Sequence, residues 1–196
     1  MNPGYRKHTD EYLMKLLADG DSNAFGEIYD RYTKPLMIYF TRMLWKDKEK
    51  ARDFMHDLFT KIIDRPNLYN PERPFKTWVY SVAHNMCKNE YRKQEVRSNT
   101  ALLGLNENVS GNTETEKNKH MDAEGFNKAL YDELDKLEEI QRTTFLMRYK
   151  MDLSIKEIAD ITQSNEGTVK SRLFYTLKKL SEKLKVFDPK LTSQGI

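Results

Sequence analysis

The residues best suited to chemistry lie near the carboxyl end. Between Thr168 and Lys185 six Lys and Arg stand against a single acid, Glu182. At about 100° per residue, Val169, Leu173, Thr176, Leu177 and Leu180 gather on one face of a helix. Ser171 and Tyr175 lie opposite, with Thr168, Phe174 and Lys178 close by and Lys170, Arg172 and Lys179 at the borders. Short polar and aromatic groups on such a face can reach base edges, while flanking cations meet phosphates. An ordinary amphipathic helix would not be expected to expose Phe174 and Tyr175 beside a basic cluster.

A second set sits in PFKTWVYSVAHNMCKNEYRKQEVR, residues 74–97. Phe75, Trp78, Val79, Val82 and Met86 form the expected inward stripe. Tyr80, His84, Lys88 and Tyr91 are expected to face out, bordered by Thr77, Ser81, Asn85 and Arg92. Aromatics interleaved with cations suit single-stranded nucleic acid, because bases stack on rings while cations track the backbone. A third set is acidic. In ARDFMHDLFTKII, residues 51–63, Met55, Leu58 and Ile62 point inward, flanked by Ala51 and Phe59, and Asp53, Asp57, Thr60 and Asp64 project from the other side. Carboxylates four residues apart repel on an isolated helix but are tolerated against a basic partner surface.

These sets need helices to position them. Helical spacing predicts four before residue 98: about 10–18; from a cap at Asp21 or Ser22 through Trp45, interrupted by Pro35; 47–64, stopped by Pro66; and 74–96. The intervening PNLYNPERP reads as an ordered loop. Four more follow at 124–134, 138–150, 154–161 and 165–184. Ser154 and Glu157 fit a capping box. A short helix, a three-to-four-residue break and a basic helix match helix-turn-helix spacing. Between them, residues 98–123 are rich in Asn, Thr, Ser, Glu and Gly and read as a flexible linker. The expectation is an all-α chain of two small helical domains, 1–97 and 124–186, joined by that linker, with a fraying tail at 187–196.

The chain's 196 residues leave room for one large or two small domains. No apolar run approaches the roughly 20 residues that a bilayer requires, and MNPGYRKHTD lacks the apolar stretch of a secretory signal. A cytoplasmic location is therefore expected. One cysteine, Cys87, excludes an internal disulfide and a multi-cysteine zinc site.

The string LSIKEIADITQSNEGTVKSRLFYTLKKL resembles the carboxy-terminal DNA-binding region of bacterial sigma factors, and EGTVKSRL is close to the extracytoplasmic-function pattern. Gln163 stands where the family often has Gly. The acidic helix resembles the sigma helix that docks on the polymerase clamp, with Asp53 and Asp57 on family acidic positions and His56 replacing a common Gln. The F-K-T-W helix, with its later Asn85 and Arg92, resembles the sigma helix that melts and holds the promoter. His84 stands there where Arg is common, and Asn89 where Asp is common. The resemblance covers about 22–97 and 126–184 and lacks the middle domain of housekeeping factors.

It implies an alternative sigma factor that binds core RNA polymerase and promoter DNA, both duplex and single-stranded, with an anti-sigma factor as a conceivable third partner and no cofactor. Polymerase contact falls to Asp53, His56, Asp57 and Thr60. The minus-10 element falls to Asn67, Tyr69 and Asn70 in the loop and to Lys76, Tyr80, His84, Asn85, Lys88, Tyr91 and Arg92. The minus-35 element falls to Gly167, Thr168, Lys170, Ser171, Arg172, Phe174, Tyr175 and Lys178.

Two rivals stand beside this reading. His56–Asp57 is the dipeptide of metal-dependent phosphohydrolases, but those need further histidines, and only His8, His84 and His120 remain. There is no Walker loop or GxGxxG, and Cys87 has no evident base beside it, so no enzyme is expected. The other rival is a dimeric helix-turn-helix regulator that binds duplex DNA without polymerase.

Overall fold

The computed structural model describes residues 4–102 and 123–187, and no helix among them is long and apolar enough to cross a membrane. The first unit comprises α1 (Asp10–Ala18), α2 (Asn23–Met43), α3 (Lys48–Asp64) and α4 (Phe75–Leu102). The second comprises α5 (Ala123–Asp135), α6 (Glu139–Tyr149), α7 (Ile155–Thr162) and α8 (Glu166–Lys183). No strand occurs among the described residues.

Local chemistry sets most boundaries. Thr9 caps α1 by accepting from the Tyr12 N–H at 3.3 Å, and Asp47 caps α3 by accepting from the Lys50 N–H at 2.9 Å. Of the two caps expected for α2, Asp21 rather than Ser22 makes the bond: it accepts from the Asn23 N–H at 3.1 Å, and the Ser22 side chain forms no capping bond. Helix α2 continues through Pro35, with Tyr32, Leu36, Tyr39 and Phe40 buried on either side. A proline inside a helix costs about 3 kcal/mol, which this burial offsets.

The start of α4 is tied down from a distance: the Phe75 N–H donates to Glu11 of α1 at 3.0 Å. Burial opposes the Glu11 charge, but this and other hydrogen bonds outweigh it and hold the carboxyl below its usual range. Helix α4 runs on to Leu102, so the first residues of the expected linker are helical. The rest of that expectation, 103–122, and the tail from 188 lie outside the described residues.

One continuous apolar core links the two units. Helix α2 packs on α1 and α3, α8 packs on α6 and α7, and α7 and α6 reach across to α4 and α2. Arg42 pairs with Asp135 at 3.2 Å, and Lys46 pairs with Asp132 and Asp135 at 3.3 and 2.9 Å. The Thr77 hydroxyl donates to Glu157 at 2.8 Å, and Lys76 donates to the Asp152 carbonyl at 3.1 Å.

Candidate nucleic-acid interface and polymerase-facing helix

The helix-turn-helix is built by side chains bonding to backbone. At the start of α7, Ser154 accepts from the Glu157 N–H, and Glu157 accepts from the Ser154 N–H at 2.8 Å, completing the capping box. Burial opposes the Glu157 charge, but bonds from Ser154 and Thr77 hold the carboxyl below its usual range. The turn pivots on Gln163, whose left-handed backbone (φ 52°, ψ 42°) lets the Ser164 N–H reach the Ala159 carbonyl. Asn165 then caps α8, accepting from the Thr168 N–H at 2.7 Å and from its hydroxyl at 2.8 Å.

Along α8, Val169, Leu173, Thr176 and Leu180 are buried. Gly167, Lys170, Ser171, Phe174, Tyr175 and Lys178 are exposed, with Phe174 and Tyr175 each at 63%. The two rings meet edge to face at 5.4 Å. The Ser171 hydroxyl donates to the Gly167 carbonyl at 2.8 Å, which leaves its oxygen free to accept. Two details depart from expectation. Leu177 is exposed rather than inward, beside an apolar groove that also involves Phe126, Leu130 and Leu184. Arg172 turns back to donate to Ser164 at 2.8 Å, bracing the turn.

On α3 the structure brings Asp53, His56 and Asp57 together as exposed groups, with Thr60 half-buried. Leu58, Phe59 and Ile62 fill the core behind them, and Met55 is half-buried. Among the described residues no group of three or more His, Cys, Asp or Glu is placed to hold a metal.

The α4 face differs most from its sequence reading. Tyr80 and His84, expected to face out, are 1% and 5% exposed. Tyr80 packs against Tyr32 and Tyr39, and the Tyr39 hydroxyl lies 3.5 Å from His84 Nδ1. Burial, with Lys88 adding to it, pushes the His84 imidazole down to about 4, so the ring is neutral near pH 7. Tyr91 is half-buried and donates its hydroxyl to the Met43 carbonyl. In the loop, Tyr69 is buried against Phe75 and Trp78 and donates to the Arg73 carbonyl at 2.5 Å. Burial raises its hydroxyl to about 12. The physical reason is shared: Tyr80, His84 and Tyr91 turn toward α2, and Tyr69 folds back on the start of α4, so these groups fill contacts within the first unit rather than await bases.

Along the middle of α4, Asn85, Asn89 and Arg92 are exposed, with Trp78, Ser81, Val82 and Lys88 half-buried around them. Trp78 and Asn89 were not in the expected set. Their signal was present, since both share the Asn85–Arg92 face at helical spacing, but Trp78 reads as core by residue type alone. In the adjoining loop Asn67 and Asn70 are exposed, and the Asn70 side chain accepts from the Glu72 N–H at 2.9 Å.

Comparison with known proteins agrees with this layout. The profile of Sigma-70 region 2 matches residues 28–97, and that of Sigma-70, region 4 matches residues 127–180. The chain is 27% identical over 183 residues to the ECF RNA polymerase sigma-E factor of Haemophilus influenzae, covering 90% of this chain and 95% of that one. It is 25% identical to the ECF RNA polymerase sigma factor SigW of Bacillus subtilis, covering 88% and 95%. Among solved structures, CnrH in complex with the cytosolic domain of CnrY shares the fold at a TM-score of 0.64 and 20% identity, over 91% of this chain and 99% of that one. The sigma factor RpoE in complex with the anti-sigma factor NepR, from Bartonella quintana, does so at 0.63 and 22%, over 83% and 97%. With regions 2 and 4 matched in order on the units that carry the acidic helix and the helix-turn-helix, the chain belongs to the sigma-70 family as an extracytoplasmic-function factor that directs RNA polymerase to promoters.

Proposed function

We infer that the two units divide the promoter between them. The second, about 124–186, reads the minus-35 element as duplex through α8. The first, about 1–97, docks on core polymerase through the acidic face of α3 and holds the minus-10 strand. The observation that carries this reading is the exposed face of α8, where Phe174 and Tyr175 stand between Lys170, Ser171 and Lys178. Rings and short hydroxyls there contact base edges, and the lysines fix register on phosphates. Gly167 and Thr168, in the first turn, bring backbone close to a phosphate.

For the minus-10 strand, the accessible donors are Asn67, Asn70, Asn85, Lys88 and Arg92, with Trp78 as the ring available for stacking. Tyr69, Tyr80, His84 and Tyr91 support that surface from within. The chain carries out no bond-making step; polymerase is the catalyst and this subunit selects the start site, in the cytoplasm. An anti-sigma factor fits as a partner, since the relative RpoE is solved in complex with one.

In vitro transcription with core polymerase on a genomic promoter library tests the reading. Start sites should share two elements, and substitution of Phe174 or Tyr175 should alter the upstream one alone. Tight binding of an isolated operator by the free chain, without dependence on polymerase, would instead favour the dimeric regulator.

A further inference from the structure

Tyr5 belongs to a stretch near a chain terminus, where fraying is the ordinary outcome. Two hydrogen bonds hold it down instead: the Tyr5 hydroxyl donates to Asp21 at 2.7 Å, and Arg31 donates to the Arg6 carbonyl at 3.1 Å. Tyr5 and the first two turns of α2, from Asn23 to Asp30, line a cleft of about 520 Å³. Phe25 and Tyr29 bring two further rings to it, 6.0 Å apart. Both are backed by Phe59 of α3, at 5.9 and 4.7 Å, and Tyr29 is 40% exposed.

Two features of this cleft have no use inside the fold. Gly26 is the first. Glycine is the poorest helix former after proline, yet a Cβ at Gly26 would meet nothing within 4 Å, so no neighbour demands its absence. Its bare backbone keeps the floor of the cleft low. Asp30 is the second. Arg31 engages Glu27 and Asp10, whereas Asp30 is exposed and forms no ion pair among the described residues. No Lys or Arg lines the cleft. Its charge is therefore that of carboxylates and of ring faces, which are negative at the centre.

We propose that this cleft binds a small organic cation, with an ammonium or guanidinium head set against Asp30 and an apolar stem along Tyr5, Phe25 and Tyr29. Ring faces attract such a head, more strongly where water is partly excluded. The unpaired carboxylate adds a charge-assisted hydrogen bond. The volume suits a small ligand, and Tyr5, pinned in advance, has little freedom left to lose on binding. The inference does not rest on the functions assigned to α3, α4 or α8.

The probes are butylguanidinium and butylammonium, with butylurea as the neutral shape of the first. They are titrated into the full, isotope-labelled chain, and backbone amide signals are followed by NMR. Both cations should shift the Gly26 and Asp30 signals, and butylurea should bind about tenfold more weakly. Gly26→Leu, whose Cβ meets no neighbour, should abolish binding with thermal stability held or raised. Asp30→Asn, on an exposed position, should weaken the cations about tenfold and leave butylurea unchanged. Absence of shifts with either cation at about 20 mM would overturn the proposal. Equal binding of butylurea would overturn it too, leaving a merely apolar cleft. Affinity for core polymerase, read by fluorescence anisotropy, should be the same for Gly26→Leu as for the unaltered chain. A loss there, with both cations silent, would mean that the cleft receives a side chain of polymerase and is no small-ligand site.

Discussion

His84 makes the stability of the chain sensitive to mild acid. Its imidazole is pushed down to about 4 from an ordinary 6.5, chiefly by burial. As pH falls the unfolded chain takes up this proton first, so acid favours unfolding. The contribution is complete above about 6.5 and is lost as pH falls through about 4. At 1.36 kcal/mol per pH unit the full gap amounts to about 3 kcal/mol, of which about 2 kcal/mol is lost between pH 7.5 and 5. Glu139, raised by its own burial, works in the opposite direction, since its neutral form is favoured in the fold and that gain fades as pH rises.

A difference measurement separates the two. Urea unfolding at pH 7.5 and pH 5 is compared between the unaltered chain and His84→Gln, which keeps a hydrogen-bonding group near the Tyr39 hydroxyl but cannot titrate. The unaltered chain should lose about 2 kcal/mol more than the variant over this interval. Losses equal within about 0.5 kcal/mol would mean that His84 is reached by water in solution, and the neutral, buried ring would have to be given up.

Other outcomes follow from the same geometry. Gln163→Gly should stabilise the chain by about 1 kcal/mol, because only the Gln side chain is strained at φ 52°; a thermal melt shifted downward would contradict this. Charge reversal of Asp53 and Asp57 together should weaken binding to core polymerase by about 1–3 kcal/mol per lost contact while leaving helicity intact, as read by fluorescence anisotropy with labelled chain. Lys178→Ala should weaken binding to all promoter sequences and reduce the salt slope by about one, whereas Tyr175→Ala should change which sequences are preferred. Tyr80→Ala should cost about 3–5 kcal/mol of stability as a core truncation. Trp78→Ala should instead lower open-complex formation on duplex template and recover on a pre-melted one, as read by permanganate footprinting.

The helices themselves were legible because their caps are local. Thr9, Asp47, Ser154 and Asn165 each bond a backbone N–H three residues on, and that chemistry is written in neighbouring letters. The same holds for α8. Only one side of it meets the rest of the protein, so the apolar stripe through Val169, Leu173 and Leu180 identifies its exposed face by exclusion. The turn at Gln163 was harder to read from residue type, since its left-handed backbone carries no glycine.

Helix α4 defeats that logic because α2 covers more of it than one apolar stripe. Toward α2 and α1 it buries Phe75, Val79 and Ala83, as any apolar stripe would. Against α2 it also buries Tyr80 and His84, beside Tyr32 and Tyr39, and toward α7 it engages Thr77, groups that a single sequence offers as outward. A polar group can be buried wherever a partner satisfies it, and here the neighbours are Tyr39, Glu157 and Asp152, up to 80 residues away in the chain. No window of periodicity contains them. The error is therefore informative: Tyr80 and His84, whose types suit solvent or nucleic acid, lie against Tyr32 and Tyr39 and belong to the core of the first unit, so the surface left to a DNA strand is the one through Trp78, Asn85, Asn89 and Arg92.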